Sequence, residues 1–291
     1  MFGMSLPINM IRGSMALYWI DIQGLDAGAY AIVMIVYGII DAIDNPILGY
    51  FSDRTNTRFG RRRPWLVVGI TILAAAFVAF FSAPSSLEGA QMVAWFATFA
   101  ILCEAADSMI NANYGSLLPE LFTEEKRRAR ANSMRQAFQL VALIISLAIT
   151  PLLTTSVFGT DRTTEGFSTT AVIYAVIAAA VLFFMTFSVR ENPPPPEERQ
   201  PGFFSSIWDI VTTKVFWQVG IASACYLVPL GVVLAAMQLY VKYSLELPVA
   251  NTFVIMGVVV VFAILGIGVW TRFVTRHGAP TVWRLGYVFL A

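Results

Sequence analysis

Long apolar stretches of about 20 residues recur along the chain, with short polar segments between them. A helix needs roughly 20 apolar residues to cross the ~30 Å hydrocarbon core of a bilayer. Eight stretches meet this length, and a ninth begins near residue 280. We therefore predict an all-α transmembrane protein with spans at 3–20, 27–51, 64–82, 91–117, 134–155, 169–189, 215–243 and 250–271.

Composition narrows the class of protein. Hydrophobic residues make up 57% of the 291 positions and charged residues 13%, whereas soluble domains carry about 25% charged residues. These proportions exclude a soluble enzyme, a disordered chain and a nucleic-acid-binding module. The sequence has one histidine and two cysteines, too few for a histidine or cysteine metal centre or a disulfide framework. We predict neither enzymatic activity nor a cofactor.

Basic residues fall mainly in the loops that follow the even-numbered spans. These loops and the segments beside them hold 15 of the 19 lysines and arginines, and the opposite loops hold Arg162 and Lys242. Cytoplasmic loops of membrane proteins carry the excess of Lys and Arg. We therefore predict a multi-pass protein whose N-terminus is cytoplasmic. Tyr18 and Trp19, near the end of the first span, are typical of the aromatic belt at a membrane surface.

A polar, proline-rich segment at 190–214 divides the chain into a six-span bundle at 1–189 and a second group of spans at 215–291. Its four consecutive prolines favour an extended linker, which we expect on the cytoplasmic side. The sequence GYFSDRTNTRFGRRRPW at 49–65 is weakly repeated as GVWTRFVTRHGAPTVW at 268–283, after the second span of each half. A parallel repeat in this position is typical of carriers of the major facilitator type, which have two six-helix bundles.

The repeat also predicts how much of such a carrier the chain contains. Two equal halves, offset by 218 or 219 residues as the repeat is, would extend to about residue 408. We therefore expect a fragment with a complete N-terminal bundle, helices 7 and 8, and the start of helix 9. The alternative is a complete protein of eight spans.

Polar residues inside the second span share one helical face. Asp41, Asp44 and Asn45 are spaced i, i+3 and i+4, and Tyr37 lies one turn earlier on the same face. Ionisable groups within a membrane are costly and are therefore candidates for function. Carboxylate and amide oxygens suit a hard cation such as Na⁺, and a carboxyl group can instead carry a proton. The alternative is a structural ion pair or a helix cap near Pro46.

A second polar stripe lies within the fourth span, where four residues again fall on one helical face: Glu104, Asp107, Ser108 and Asn111. We expect it to face a charge network or a water-filled cavity within the bundle. Part of this network is expected to hold helices together rather than to bind solute. The residues that we favour for solute contact are Arg135, Asn111, Asn9, Arg12 and Asp107.

The loop between the second and third spans combines glycines, an aspartate and many arginines. Ion pairs in such a loop can form in one carrier state and break in another. The simpler alternative is a basic anchor on the cytoplasmic surface. The residues that we assign to a conformational role are Gly49, Asp53, Arg54, Arg58, Gly60, Arg61 and Arg62.

These motifs resemble the glycoside–pentoside–hexuronide:cation symporter family of the major facilitator superfamily, typified by the melibiose carrier. The likeness is strongest in DAIDNPILGYFSDRTNTRFGRRRPW, followed by YGSLLPEL and the basic loop after it. The resemblance implies that Asp41 is the cation-site aspartate and that Ser108 matches a hydroxyl position there. It implies that Arg135 is a sugar-site arginine. The second cation-site aspartate falls on Asn45, beside Asp44.

The sequence also departs from the family at the solute site. The sugar-binding aspartate of helix 4 falls on Asn111, and a lysine–aspartate pair of helix 1 falls on Met4 and Ser5. These changes weigh against a melibiose-like binding mode. With one cation-site aspartate replaced by Asn45, H⁺ is as plausible a coupling ion as Na⁺, and the only metal ion expected is Na⁺ at Asp41.

The resemblance implies a secondary active symporter that works by alternating access. It would couple Na⁺ or H⁺ to a sugar-like solute in a bacterial inner membrane, as a monomer when full length. The expected partners are the solute and the lipid bilayer, with no nucleic acid. The alternatives are a carrier of a non-sugar solute and a non-transporting sensor or assembly protein descended from a carrier.

Overall fold

The computed structural model describes residues 1–55, 57–122, 124–160, 163–189 and 211–259, together with residues 208, 262, 266 and 276. The described residues form helices and turns, with no β-strand among them. The helices are α1 (Phe2–Ala16), α2 (Ala27–Arg54), α3 (Arg63–Phe80), α4 (Ala90–Leu121), α5 (Glu125–Ile144), α6 (Glu165–Ser188), α7 (Lys214–Leu239) and α8 (Val249–Val259).

Three of these helices continue into π-helical segments. Leu17–Ile22 extends α1 and Tyr240–Ser244 extends α7. Helix α5 continues through Ile145–Ile149, a short α-helical turn and Leu153–Val157. The π segments allow α1 and α5 to reach further across the membrane than their α-helical parts alone.

The predicted spans agree with the helices where the structure describes them. Six helices in the described part are long and apolar enough to cross a membrane: α2, α3, α4, α5 with its extension, α6, and α7 with its extension. Helix α1 has 15 residues before its π segment. Most of the 190–214 linker, the later part of the eighth span and the ninth stretch lie outside the described residues, as does 268–283 apart from Arg276.

Local sequence explains where several helices begin. The Asp26 side chain caps α2 by accepting a hydrogen bond from the Ala29 N–H at 2.9 Å. Pro64 lies in the first turn of α3, where its missing N–H costs no hydrogen bond. Between α2 and α3, the chain turns at Gly60, whose φ of 108° strongly favours glycine.

The first six helices form one bundle. Helix α4 packs against α2 and α3, α3 also packs against α6, and α1 contacts α5, α6 and α7. Because the chain crosses the bundle repeatedly, the start of α1 and the α2–α3 and α4–α5 turns share one end, which we call the basic end. The α1–α2, α3–α4 and α5–α6 connections lie at the opposite end.

Aromatic side chains fill the core at the opposite end. The Tyr18 ring contacts Phe81 and Phe167, and the Trp19 ring contacts Phe80 and Phe96, with centroid distances of 5.1 to 5.5 Å. Tyr18 and Trp19 are both 0% exposed. The prediction that they belong to a surface belt is therefore wrong, because both rings point into the bundle and fill space between α1, α3, α4 and α6.

Candidate functional site: a polar cluster between α1, α2 and α4

The polar faces of α2 and α4 meet in the middle of the bundle. The Tyr37 hydroxyl on α2 donates a hydrogen bond to the Glu104 carboxylate on α4. Asp41, one turn along α2, lies within hydrogen-bonding reach of the same Glu104 carboxyl group. The shared face that the spacing of Tyr37 and Asp41 predicts therefore faces the polar stripe of α4.

The α4 stripe is buried more deeply than the residues of α2. Glu104 is 3% exposed, and Asp107 and Ser108 are also buried. Asp107 hydrogen-bonds to Asn111, one turn along the helix. The stripe is continuous because each member lies three or four residues from the next.

A guanidinium group from α1 completes the arrangement. Arg12 is exposed on α1 and is close enough to attract the Asp107 carboxylate. The carboxylates of Asp41 and Asp44 are close enough to repel it. The α1, α2 and α4 residues that these interactions join are Arg12, Tyr37, Asp41, Asp44, Glu104, Asp107 and Asn111, which we call the polar cluster. One fixed positive charge faces four carboxyl groups, so the cluster has a surplus of sites for a cation or protons.

Among the described residues, no three His, Cys, Asp or Glu side chains form a conventional metal-binding group. A monovalent cation would therefore need hydroxyl or backbone oxygens besides the carboxylates of Asp41 or Glu104. Ser108, buried on the same helix, is one hydroxyl of this type. The side chain of Asn45 lies outside the part of the chain that the structure describes.

Glu104 is central in the structure but was not among the site residues predicted from sequence. Sequence spacing placed it on the α4 stripe, and no pattern distinguished it from the other members. The signal that could have singled it out is its place one turn before the Ser108 position, on the same face.

Three of the five predicted solute residues, Arg12, Asp107 and Asn111, belong to this cluster. Asn9 is half-buried one turn before Arg12 on α1. Arg135 lies closer to the basic end, with its guanidinium carbon 6.0 Å from the centroid of the Tyr114 ring. Tyr114 follows Asn111 by one turn of α4. The residues proposed for solute contact therefore occupy two successive levels rather than one cluster.

The predicted conformational loop forms a compact turn at the basic end. Arg62 is 4% exposed and its guanidinium pairs with the Asp53 carboxylate at 2.9 Å. The Thr57 hydroxyl donates to the Gly60 carbonyl at 2.6 Å, and Trp65 Nε1 donates to the Thr55 hydroxyl at 2.8 Å. These contacts fix the turn between α2 and α3.

The other arginines of this loop lie nearer the surface. Arg54 stacks 3.6 Å over the Tyr50 ring, Arg58 lies 4.7 Å from the Phe59 centroid, and Arg61 is half-buried. The Gly49 carbonyl accepts a hydrogen bond from the Ser52 hydroxyl at 3.1 Å. The loop residues thus divide into an ion pair between the buried Arg62 and the exposed Asp53, and a set of arginines nearer the surface.

Comparison with known proteins agrees with this architecture. Residues 2–291 match a family model described as MFS/sugar transport protein. The isoprimeverose transporter of Lactiplantibacillus pentosus is 31% identical over 179 residues, covering 61% of this chain and 37% of that protein. A glucuronide carrier protein homolog of Escherichia coli is 24% identical over 231 residues, covering 79% and 50%.

The name of a vertebrate relative refers to a different solute. The sodium-dependent lysophosphatidylcholine symporter 1-B of Danio rerio is 28% identical over 134 residues, covering 46% of this chain and 25% of that protein. The matched regions thus span between a quarter and a half of these three relatives. Since the family model covers nearly the whole chain, this multi-pass membrane protein belongs to the MFS/sugar transport family, and its named relatives are transport proteins rather than enzymes.

Proposed function

We propose that this chain forms part of a symporter that couples a cation, Na⁺ or H⁺, to the uptake of a sugar-like solute by alternating access. The observation that carries the proposal is the Tyr37–Glu104–Asp41 contact between α2 and α4, beside Arg12. Buried carboxylates in a membrane are costly unless a cation or proton neutralises them. A bound cation therefore has a large effect on how α2 and α4 pack.

Asp41 is the proposed coupling residue, helped by Asp44, Asn45 and Ser108. Na⁺ is supported by the name of the sodium-dependent relative. H⁺ is supported by the hydrogen-bonding proximity of the carboxyl groups of Asp41 and Glu104, since two carboxyl groups share a hydrogen bond only when one is protonated. The ion dependence of uptake decides between them.

The proposed solute wall consists of Asn9, Arg12, Asp107, Asn111 and Arg135. Guanidinium, amide and carboxylate groups hydrogen-bond to hydroxyls, which favours a polyhydroxylated solute. Two of the relatives named above are called isoprimeverose and glucuronide carriers. A lysolipid is the second candidate solute, because another relative bears that name.

We place the protein in a bacterial inner membrane, with its basic end facing the cytoplasm. The excess of arginine in the α2–α3 and α4–α5 turns supports this orientation. In this orientation, a solute released past Arg135 would leave on the side of the Arg62–Asp53 pair.

The test is uptake of labelled glycosides, pentosides, uronides and a lysophospholipid by cells that express the full-length protein. Each solute is assayed with and without Na⁺ and with a protonophore. We expect Asp41→Asn to abolish accumulation against a gradient, while exchange of solute down its gradient survives. Asp26→Asn is the matched control, because Asp26 caps α2 outside the cluster and asparagine caps helices equally well.

Accumulation that follows one ion, and that Asp41→Asn removes, would support the proposal and identify the ion. Undiminished gradient-driven uptake by Asp41→Asn would reject Asp41 as the coupling residue. If the lysophospholipid is the one solute taken up, it would replace the sugar-like compound as the proposed solute. No uptake of any solute by folded protein would favour a different cargo or a non-transporting role.

A further inference from the structure

Helix α7 is joined to α1 by a group of polar contacts at the opposite end of the bundle. Asp21 accepts hydrogen bonds from the Lys242 ammonium and the Tyr243 hydroxyl. One turn back along α7 and two turns back along α1, the Gln238 amide donates to the Ser14 hydroxyl at 2.9 Å. The Asp21 and Lys242 side chains are both mostly shielded from solvent. Because loss of one partner would leave the other charge shielded and without compensation, removing Asp21 or Lys242 would disfavour the contact between the two helices.

The paired residues lie on corresponding parts of the two halves. Asp21 belongs to the π segment Leu17–Ile22 that follows α1, and Lys242 and Tyr243 belong to the π segment Tyr240–Ser244 that follows α7. These segments begin 223 residues apart, close to the offset of the sequence repeat. Single π turns within helices often mark functional positions. The first helix of each half therefore ends in a π turn, and the two π turns meet.

Contacts of α7 are concentrated at this end. Among the described residues of α7 and its extension, the buried ones are Gln238 and Val241. Near the beginning of α7, Trp217 is 53% exposed. The segment that starts α8 also contacts the end of α5. In the described part of the chain, the second group of helices thus meets the bundle at the opposite end and stands apart from it towards the basic end.

We propose that Asp21, Lys242 and Tyr243 form a latch that closes the opposite end of the carrier and holds the state in which the polar cluster opens towards the basic end. The proposal rests on the proposed function, because a latch of this kind has meaning only in a protein that alternates between two states. Contacts made in one state alone shift the population towards that state. Loss of the latch therefore favours the state that is open at the opposite end.

The test measures how readily the opposite end opens. Ser14→Cys places a thiol behind the latch in the full-length protein, in a background carrying Cys103→Ala and Cys225→Ser. A membrane-impermeant maleimide is added to sealed, oriented vesicles on the side that the opposite end of the bundle faces, and the labelling rate is measured. We expect Asp21→Asn to raise this rate about five- to tenfold, as a moderate shift between two populated states would. The matched control is Asp26→Asn, which removes a nearby charge that caps α2, and its rate should not change.

A charge exchange makes the test specific to the pair. The double variant Asp21→Lys with Lys242→Asp should return the labelling rate to within about twofold of the parent, while either reversal alone should not. A rate that is unchanged in Asp21→Asn, or equally raised in Asp26→Asn, would overturn the latch. Labelling requires neither solute nor coupling ion. If the labelling rates change as expected but the protein takes up no solute, the result would count against the proposed function and not against the latch.

A second measurement tests the same contact in case the charge variants do not fold. In the same background with Ser14 retained, the double variant Asp21→Cys with Lys242→Cys should be cross-linked in membranes by a short bifunctional thiol reagent. The double variant Asp26→Cys with Lys242→Cys is the control and should be cross-linked at least about tenfold more slowly, since contact raises effective concentration. Failure of the first pair to join, in protein that reacts with the maleimide at both cysteines, would overturn the proposal.

Discussion

Glu104 connects the two helices of the candidate site. It is buried, accepts a hydrogen bond from Tyr37, and lies within reach of Asp41. A carboxylate in this setting is stabilised by donors and destabilised by its neighbouring carboxylates. In its ionised form, Glu104 therefore attracts a cation even when a neighbouring carboxyl group is the one that binds it.

We predict that Glu104→Gln weakens cation coupling while leaving the fold intact. Glutamine has nearly the same shape and its carbonyl can still accept from Tyr37, but the negative charge is lost. The attraction between a carboxylate and a cation about 4 Å apart is roughly 1–4 kcal/mol, so the cation concentration for half-maximal uptake should rise by roughly tenfold. Uptake by the full-length protein is measured against ion concentration. Glu88→Gln, in the exposed α3–α4 turn, is the control, and an unshifted curve for Glu104→Gln would contradict the prediction.

Sequence spacing predicted part of this site. The i, i+3 spacing of Asp41 and Asp44, and of Glu104 and Asp107, predicted a polar face on each of the two helices. Which face each helix turns towards its neighbours is decided by packing of all its side chains, so the Tyr37–Glu104 contact was not predicted. The same reason accounts for the error over Trp19, since an aromatic residue near a span end suits either a membrane surface or a core.

At the scale of elements, the end of α5 and the beginning of α6 come unusually close. A Cβ on Gly159 would lie 2.7 Å from the Thr154 carbonyl oxygen and 2.8 Å from the Gly166 nitrogen. A Cβ on Gly166 would fall onto the Thr154 carbonyl. Because the obstructing atoms belong to the backbone, no side-chain rotation can make room. Glycine at these positions permits backbones to approach closely, as small residues do between membrane helices.

We predict that Gly166→Ala destabilises the protein strongly. Overpacking of a tight interface typically costs about 1–3 kcal/mol, which lowers the melting temperature by several degrees. Gly38→Ala in α2 is the matched control, since its Cβ would meet no atom within 4 Å and alanine is the better helix former. Melting temperatures of the detergent-solubilised proteins provide the measurement. An equal melting temperature for the two variants would show that the α5–α6 contact relaxes at little cost.

The helices themselves were largely predictable, whereas their π segments were not. An apolar stretch of span length indicates a helix in a membrane because backbone groups have no other partners there. One additional residue in a turn leaves that apolar stretch unchanged, so the pattern does not reveal Leu17–Ile22 or Tyr240–Ser244. Both segments lie at the opposite end of the bundle, where α1 and α7 are joined by polar contacts.

At the scale of the whole molecule, the six-span bundle has two chemically distinct ends. The basic end carries the Arg62–Asp53 turn, and the opposite end carries the aromatic core around Tyr18 and Trp19. The polar cluster lies between them. The predicted all-α membrane fold of the major facilitator type is confirmed by the family match and by the six membrane-length helices among the described residues. The division at 1–189, 190–214 and 215–291 stays a prediction, since most of the linker lies outside the described residues.

We predict that the two ends face opposite compartments, with the basic end in the cytoplasm. Phe59→Cys places a thiol on the exposed α2–α3 turn, and Ser85→Cys places one on the exposed α3–α4 turn. In a background carrying Cys103→Ala and Cys225→Ser, an impermeant thiol reagent applied to intact spheroplasts should label only Ser85→Cys. Inside-out vesicles should reverse the result. Labelling of Phe59→Cys in intact spheroplasts would invert the orientation and assign the proposed latch to the cytoplasmic side.

The aromatic core has a spectroscopic consequence. Trp19 is enclosed by Phe80 and Phe96 and reaches neither lipid nor water, whereas Trp217 is largely uncovered on α7. Brominated acyl chains extinguish indole emission only by contact. In vesicles of brominated lipid, Trp19 should therefore remain bright and emit at short wavelength, and a variant retaining it as the sole tryptophan would report the folding of the first bundle by fluorescence alone.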